Sequence, residues 1–346
     1  MEIFDTLTLM EVIRVQKPPT TYWLDAFFPT TVTFETEEIL FDTVVDMRRL
    51  APFVAPNVQG RVMREIGYST KTFRPAYTKP KHVVTPQRAI PRMAGETITG
   101  SMSLAERYNA IVAENMRLEK EMILRRQDWM ACQAIVNGAV TVVGDDYPSV
   151  TVDFGRDASL SSILTGAALW SAVSTANPLA DITSARQASF NIGRTPIDRL
   201  TFGLTAWSWF TQNAAVKDLL STLYRGSDTT FNRAVPDAAP YQFMGALMGQ
   251  GGAGRLDLYT YNDMYEDDQF VAQPYMDQST VVGTGSGLKG IRCFGAIQDH
   301  RAGLVATDMF PKMWDIEDPS ATYTMTQSAP LMVPAQPNGS FRLKVA

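Results

Sequence analysis

Between Ser103 and Gly138 the apolar positions Leu104, Tyr108, Ile111, Val112, Leu118, Met122, Ile123, Trp129, Met130 and Ile135 recur at steps of three and four without holding a strict heptad. About 34 residues pass here with no proline or glycine, which predicts one helix roughly 51 Å long. Both ends are signposted. Ser103 followed by Glu106 has the spacing of a capping box, and Gly138 stands where a left-handed C-cap is needed. Glu121 and Arg125 add an i,i+4 pair in the favourable order. The pattern describes a spine helix packed along its length, not a coiled coil.

Past Gly138 the period changes. Ala139-Val140-Thr141-Val142-Val143, a turn over Gly144 to Pro148, and Val150 to Phe154 predict a hairpin. From about 160 to 295 helical and strand patterns alternate. Asn177-Pro178 opens a helix as cap and first residue, Arg199-Leu200-Thr201-Phe202 reads as a strand, and Ala206 to Leu223 reads as one further helix. Gly245, Gly249, Gly251, Gly252 and Gly254 predict a flexible loop in the middle of this α+β region.

Before the spine helix the pattern is irregular. Residues 1–52 hold short mixed stretches broken by Pro18-Pro19 and Pro29, with an alternating run Thr31 to Glu35, and read as an arm that needs a neighbour to lie on. Pro75, Pro80, Pro86 and Pro91 rule out a continuous helix over 61–92 and leave a long two-stranded ribbon. Two strands alone bury too little apolar surface to be stable in water, so the ribbon should pack on another subunit.

Charge sharpens that expectation. Arg61, Arg64, Lys71, Arg74, Lys79, Lys81, Arg88 and Arg92 are opposed by Glu65 alone, while the whole chain carries −5, leaving −12 outside the segment. The arm contributes Glu35, Glu37, Glu38, Asp42 and Asp46 to the acidic side. Arg61, Arg64, Lys71, Arg74, Lys79, Lys81 and Arg88, with Glu35, Glu37 and Glu38, are therefore the candidate inter-subunit contacts. An acidic chain of 346 residues, 45% apolar and 19% charged, is globular and lacks the basic footprint of a nucleic-acid binder. No run of about 18 apolar residues predicts a membrane span, and the acidic start Met1-Glu2-Ile3-Phe4-Asp5 does not read as a signal peptide.

Candidate chemistry is sparse. Val281-Val282-Gly283-Thr284-Gly285-Ser286-Gly287-Leu288-Lys289-Gly290 is glycine-rich after two valines. It lacks glycine at Leu288 for a dinucleotide fingerprint and Gly-Lys-Ser/Thr for a P-loop, and so reads as a strand connection. His82 and His300 have no ligand-spaced partner, and Cys132 and Cys293 are too few for a disulfide framework. Asp145-Asp146 and Asp267-Asp268 read as turn residues, and Trp207 and Trp209 as core.

Several short motifs follow in order: Asp128-Trp129-Met130-Ala131-Cys132-Gln133-Ala134, Val152-Asp153-Phe154-Gly155-Arg156, Gln273-Pro274-Tyr275-Met276, Gly295-Ala296-Ile297-Gln298-Asp299, Pro311-Lys312-Met313-Trp314, and Thr326 to Pro334. In that order they resemble the lambda-type phage major capsid proteins, the protein E family, a branch of the Hong Kong 97-type capsid fold. The resemblance implies an α+β subunit with an N-terminal arm (1–52), an extended β-hairpin loop (53–101), a peripheral domain with the spine helix (102–158 and 296–346) and an axial domain (159–295). It implies an icosahedral shell of hexamers and pentamers, built in the host cytoplasm with a scaffolding protein and a portal. The shell would enclose packaged DNA without reading its sequence and offer a site for a decoration protein. No catalytic residue, cofactor, metal or lysine–asparagine crosslink is implied. Two other readings use the same residues: a nanocompartment shell of the encapsulin type, and a soluble enzyme with its site in the middle region.

Overall fold

The computed structural model describes residues 6–16, 19–44, 68–91, 102–144, 147–223, 240–248, 254–267, 269–300, 306–318 and 320–346, with positions 51, 53, 56, 57 and 59. The predicted spine is α4 (Leu104–Asn137), 34 residues long, with both bonds of the Ser103/Glu106 capping box formed and Gly138 left-handed at φ 69°. It joins two cores. The N-terminal half packs Ile111, Val112, Met116 and Ile123 against Leu9 and Ile13 of α1 (Thr6–Val15) and against Val84, Met309 and Met313. The C-terminal half packs Met130, Ala131, Cys132 and Ile135 against Trp23 and Leu24 of α2 (Tyr22–Phe27) and against Leu331 and Val333. The sequence groups Tyr22 to Phe28 with the arm, yet Trp23, Leu24 and Phe28 have no exposed surface.

Three sheets surround the spine. β1 (Thr30–Thr33), β14 (Gly290–Phe294) and β17 (Pro330–Pro334) form one. β1 is the alternating arm segment; it pairs in parallel with β14, and all four of its residues are exposed. β4 (Lys81–Val84), β15 (Phe310–Ile316) and β16 (Ala321–Gln327) form a second sheet, with β16 central. The third has six strands in the order β7 (Ser161–Ile163), β18 (Ser340–Lys344), β13 (Thr280–Gly285), β8 (Ile197–Phe202), β10 (Arg255–Tyr261), β9 (Tyr241–Met248). It carries its own core with α5 (Pro178–Gly193) and α6 (Leu204–Gln212). The chain's last strand thus lies among those of the middle region.

Three antiparallel pairs project from these layers: β2 (Ile39–Val44) with β3 (Tyr68–Phe73), β5 (Ala139–Gly144) with β6 (Tyr147–Asp153), and β11 (Met264–Glu266) with β12 (Ala272–Pro274). The β5–β6 hairpin is the predicted one; Asp145 and Asp146, expected as turn residues, lie outside the described residues.

Two expectations are corrected. The single helix Ala206 to Leu223 is two, α6 and α7 (Ala214–Leu223). Asn213 is extended between them (φ −66°, ψ 135°), accepts the Ala215 N–H at 3.1 Å as a cap, and donates to Ala176 O at 3.0 Å. Gly245 lies within strand β9, at an irregularity in its pairing with β10, not in a loop. Gly249, Gly251 and Gly252 are outside the described residues.

The glycine-rich stretch is β13 and its link to β14. A Cβ on Gly283 would sit 2.1 Å from the Phe341 ring, and one on Gly290 2.3 Å from Phe28. These glycines admit aromatic rings, which accounts for them without a phosphate.

Candidate assembly interface

The basic segment does not stay together. Its first described strand, β3, pairs not within the segment but with β2 of the stretch read as the arm, with Ile39 opposite Phe73 and Val44 opposite Tyr68. Lys71 lies on β3 opposite Phe41; Arg61, Arg64, Glu65 and Arg92 lie outside the described residues. Arg74 forms an ion pair with Glu37 of the same chain, and Glu37 also accepts from Gln298 at 2.5 Å. Beyond Phe73 the chain leaves the ribbon. Lys79 lies over the Tyr77 ring (4.8 Å), Lys81 lies over Tyr323 (5.1 Å) on the β4–β16 sheet, and Arg88 donates to Asn115 Oδ1 of α4 (3.3 Å). Pro86 starts the short helix α3 (Pro86–Ala89). Among the described residues of the ten predicted contacts, Arg74 and Glu37 are brought together, and both Glu35 and Glu38 are exposed.

The ends of the two N-terminal helices are met by charges from elsewhere. Thr21, at the N-cap of α2, makes no side-chain cap bond. Asp128 of α4 supplies the acceptor instead: its Oδ1 takes the Leu24 N–H at 2.9 Å, and the Trp23 N–H also favours its charged form. At the other end, Arg292 of β14 donates to Phe28 O (2.7 Å) and Leu24 O (3.0 Å). Lys120 of α4 donates to Ile13 O (2.6 Å) and Gln16 O (2.7 Å) at the C-terminal end of α1. Each charge has the sign that the helix dipole favours. Burial outweighs the two donated N–H groups at Asp128 and pushes its carboxyl up to about 7.

A second buried carboxylate fastens the β4–β16 sheet to the spine. Glu119 has no exposed surface. It accepts from the Thr324 and Thr326 hydroxyls, each at 2.7 Å, and His82 Nδ1 lies 3.2 Å from its Oε1. His82, partnerless by sequence spacing, thus faces a carboxylate brought by the fold. The pairing of β4 with β16 reveals this, because Glu119 and Thr324 lie in none of the sequence motifs and Thr326 only opens one.

The remaining candidates are structural. Cys132 donates to Tyr275 O at 3.3 Å, and burial pushes its thiol well above the usual value; burial raises Cys293 to about 12. Neither has the lowered pKa of a nucleophile. Trp207 and Trp209 are half-buried against the core of the six-stranded sheet. Asp267 accepts the backbone N–H groups of Gln269 and Val271, as a turn residue does. Among the described residues no three His, Cys, Asp or Glu side chains gather where a metal could be held.

An arm fixed by helix-end charges, a projecting ribbon and a spine helix make up the scaffold that the described residues form. The family model for phage major capsid protein E matches residues 5–345. The chain belongs to the phage major capsid protein E family. It is 31% identical over 345 residues to the major capsid protein of Enterobacteria phage P21, covering 98% of each chain. It is 31% identical over 330 residues to that of Escherichia phage lambda, covering 94% of each. In fold it matches a prophage protein of E. coli CFT073 (TM-score 0.75, 24% identity, 99% of each chain). The capsid of cyanophage P-SCSP1u matches more distantly, at TM-score 0.51 and 9% identity over 96% of this chain and 90% of that one. The α+β Hong Kong 97-type fold expected from the ordered motifs is therefore the observed one. In this capsid protein E chain the motif beginning at Asp128 gains a physical role, since that residue caps the helix that lies on the spine.

Proposed function

We propose that this chain is the major head protein of a tailed double-stranded DNA phage and assembles into a closed icosahedral shell around the genome. The carrying observation is the family match from residue 5 to residue 345, which takes in arm, ribbon, spine and sheets together. The same match favours a phage head over an encapsulin-type compartment or an enzyme of the middle region. On this reading residues 1–52 act as arm, 53–101 as extended loop, 102–158 with 296–346 as peripheral domain and 159–295 as axial domain. Hexamers and pentamers form in the host cytoplasm with a scaffold and a portal, and a decoration protein has a surface to bind. Catalysis has no part in it.

Summing weak contacts over a symmetric shell makes ion pairs count that would contribute little singly. Arg74 already has Glu37 in its own chain, so the ribbon charges available to a neighbour are best tested at Arg61 and Arg64. Negative-stain electron microscopy of size-fractionated protein, expressed alone and with the adjacent phage genes, should show closed shells. The double variant Arg61→Glu/Arg64→Glu should give folded subunits and no shells. A homogeneous monomer under both expression conditions would overturn the proposal, and normal shells from the double variant would make the ribbon charge incidental.

A further inference from the structure

The sheet of β4, β15 and β16 is fastened to the spine by one face and turns the other outward. On β16 the Thr324 and Thr326 hydroxyls reach Glu119 of α4, so by the two-residue period of a strand Tyr323 and Met325 point away. The register extends that outward face across three strands. Lys312, Met325 and Lys81 form one row, Trp314, Tyr323 and Val83 the next, and Ile316 stands opposite Ala321 in a third. The ring contacts agree: Trp314 stacks on Tyr323 at 5.6 Å, Lys312 lies over Trp314 and Lys81 over Tyr323.

An antiparallel sheet with one packed face ordinarily shows polar residues on the other. Here the second and third rows are apolar, with Val83 41% and Ile316 40% exposed and the Trp314 and Tyr323 rings half-buried. A strip of aromatic and aliphatic side chains on a fixed sheet suits a contact surface.

Charge identifies the occupant. At one end of the strip Lys79 and Lys81 are exposed. Each lies over a tyrosine ring, at 4.8 and 5.1 Å, and meets no carboxylate among the described residues. Lys312 does not count, since Asp299 holds it at 2.5 Å. At the other end, past Ile316, Glu317 and Asp318 are exposed. A face that is basic at one end, apolar in the middle and acidic at the other is complementary to itself when turned about a two-fold axis. We propose that this face is an isologous contact between two copies of the chain. The axis lies in the interface, across the strands and beside Tyr323, so that Lys79 and Lys81 of each copy meet Glu317 and Asp318 of the other. Three strands about 4.8 Å apart and five residues long cover roughly 250 Å², well below the roughly 800 Å² per partner of a stable pair. The contact is therefore one that counts when summed over a shell, and the proposal rests on the shell-subunit reading.

The test uses shells of the full chain. Cys132 and Cys293 are buried, so Tyr323→Cys shells treated with a short bismaleimide should give linked dimers that unmodified shells do not. A face that meets a different surface keeps the two copies of residue 323 apart and gives none. Lys81→Glu is the second arm, at an exposed position. It should leave the melting temperature of the free subunit unchanged and raise the concentration needed for shells at least about fivefold. Lys81→Glu/Glu317→Lys should restore assembly, because each copy then offers the reversed pair to the other. No linked dimer from Tyr323→Cys shells, normal assembly of Lys81→Glu, or a loss that Glu317→Lys does not recover would each overturn the proposal. If the unmodified chain forms no shells even with its adjacent genes, the shell-subunit reading itself fails, an outcome visible before either variant is made.

Discussion

Asp128 offers the sharpest test of how the N-terminal segment is held. In the native chain its carboxyl titrates at about 7 against an ordinary value of 3.8, because burial penalises the charge more than the Leu24 and Trp23 N–H groups and nearby Asp263 alter it. That difference corresponds to about 4 kcal/mol of preference for the protonated form in the folded state. The native state binds the proton more tightly than the unfolded one, so this group's contribution is fully present below about pH 4 and is lost as pH rises through 7. Asp128→Asn keeps an acceptor for Leu24 and removes the titration, while the loss of a second acceptor costs about 1 kcal/mol. The variant should therefore gain on the wild type by about 1.4 kcal/mol per pH unit between roughly pH 4 and pH 7, ending about 3 kcal/mol more stable at pH 8. Urea denaturation of dilute subunits, followed by tryptophan emission at several pH values, measures the gap; Trp23 lies beside the site with no exposed surface. A gap that stays constant with pH, or a variant less stable at pH 8, would refute the reasoning and show that the ionised carboxylate is favoured at the end of α2.

Two other substitutions separate packing from polar anchoring. Gly283→Ala should cost about 1–3 kcal/mol by overpacking, since its Cβ meets the Phe341 ring at 2.1 Å; adding Phe341→Leu should recover part of the loss in the same melt, and no recovery would place the cause in the backbone. Glu119→Ala strands the Thr324 and Thr326 hydroxyls, which are 1% and 0% exposed. It should cost about 3–5 kcal/mol in urea denaturation, with Glu119→Gln retaining part of that; a loss below about 1 kcal/mol would mean water replaces the carboxylate.

What the sequence revealed follows the range of the interactions. The spine helix was legible to the residue because Ser103, Glu106 and Gly138 are local signals, and the β5–β6 hairpin because a turn separates two alternating runs. The break at Asn213 was hidden, since a lone asparagine is a weak breaker and its decisive bond goes to Ala176, 37 residues earlier. The ribbon expected within 61–92 was misread at both its described strands, since β3 pairs with β2, inside the segment read as the arm. Lys81–Val84 looks like more of the same extended basic segment, but its pairing partner is β16, roughly 240 residues along the chain, and no local pattern encodes that. Asp128 stood inside a recognised motif without a role because the helix it caps begins 106 residues before it. The candidate contacts were chosen on charge alone, which cannot distinguish Arg74, paired within its own chain, from basic residues that face outward.

The three projecting parts of the subunit are all fixed to α4, and by directional bonds more than by apolar burial alone. Lys120 and Asp128 hold the two N-terminal helices, Glu119 holds the strand that leaves the ribbon through its neighbour β16, and Cys132 with Gln133 hold the base of the β11–β12 hairpin. Buried charges are a poor source of stability compared with apolar side chains of similar volume. Their advantage is geometric. Apolar burial is indifferent to direction, whereas a carboxylate on helix-end N–H groups and an ammonium on helix-end carbonyls fix which end of a helix lies where. A shell-forming subunit needs that orientation more than extra stability, so a spine carrying half-buried Lys120 beside buried Glu119 and Asp128 is what such a chain would be expected to keep.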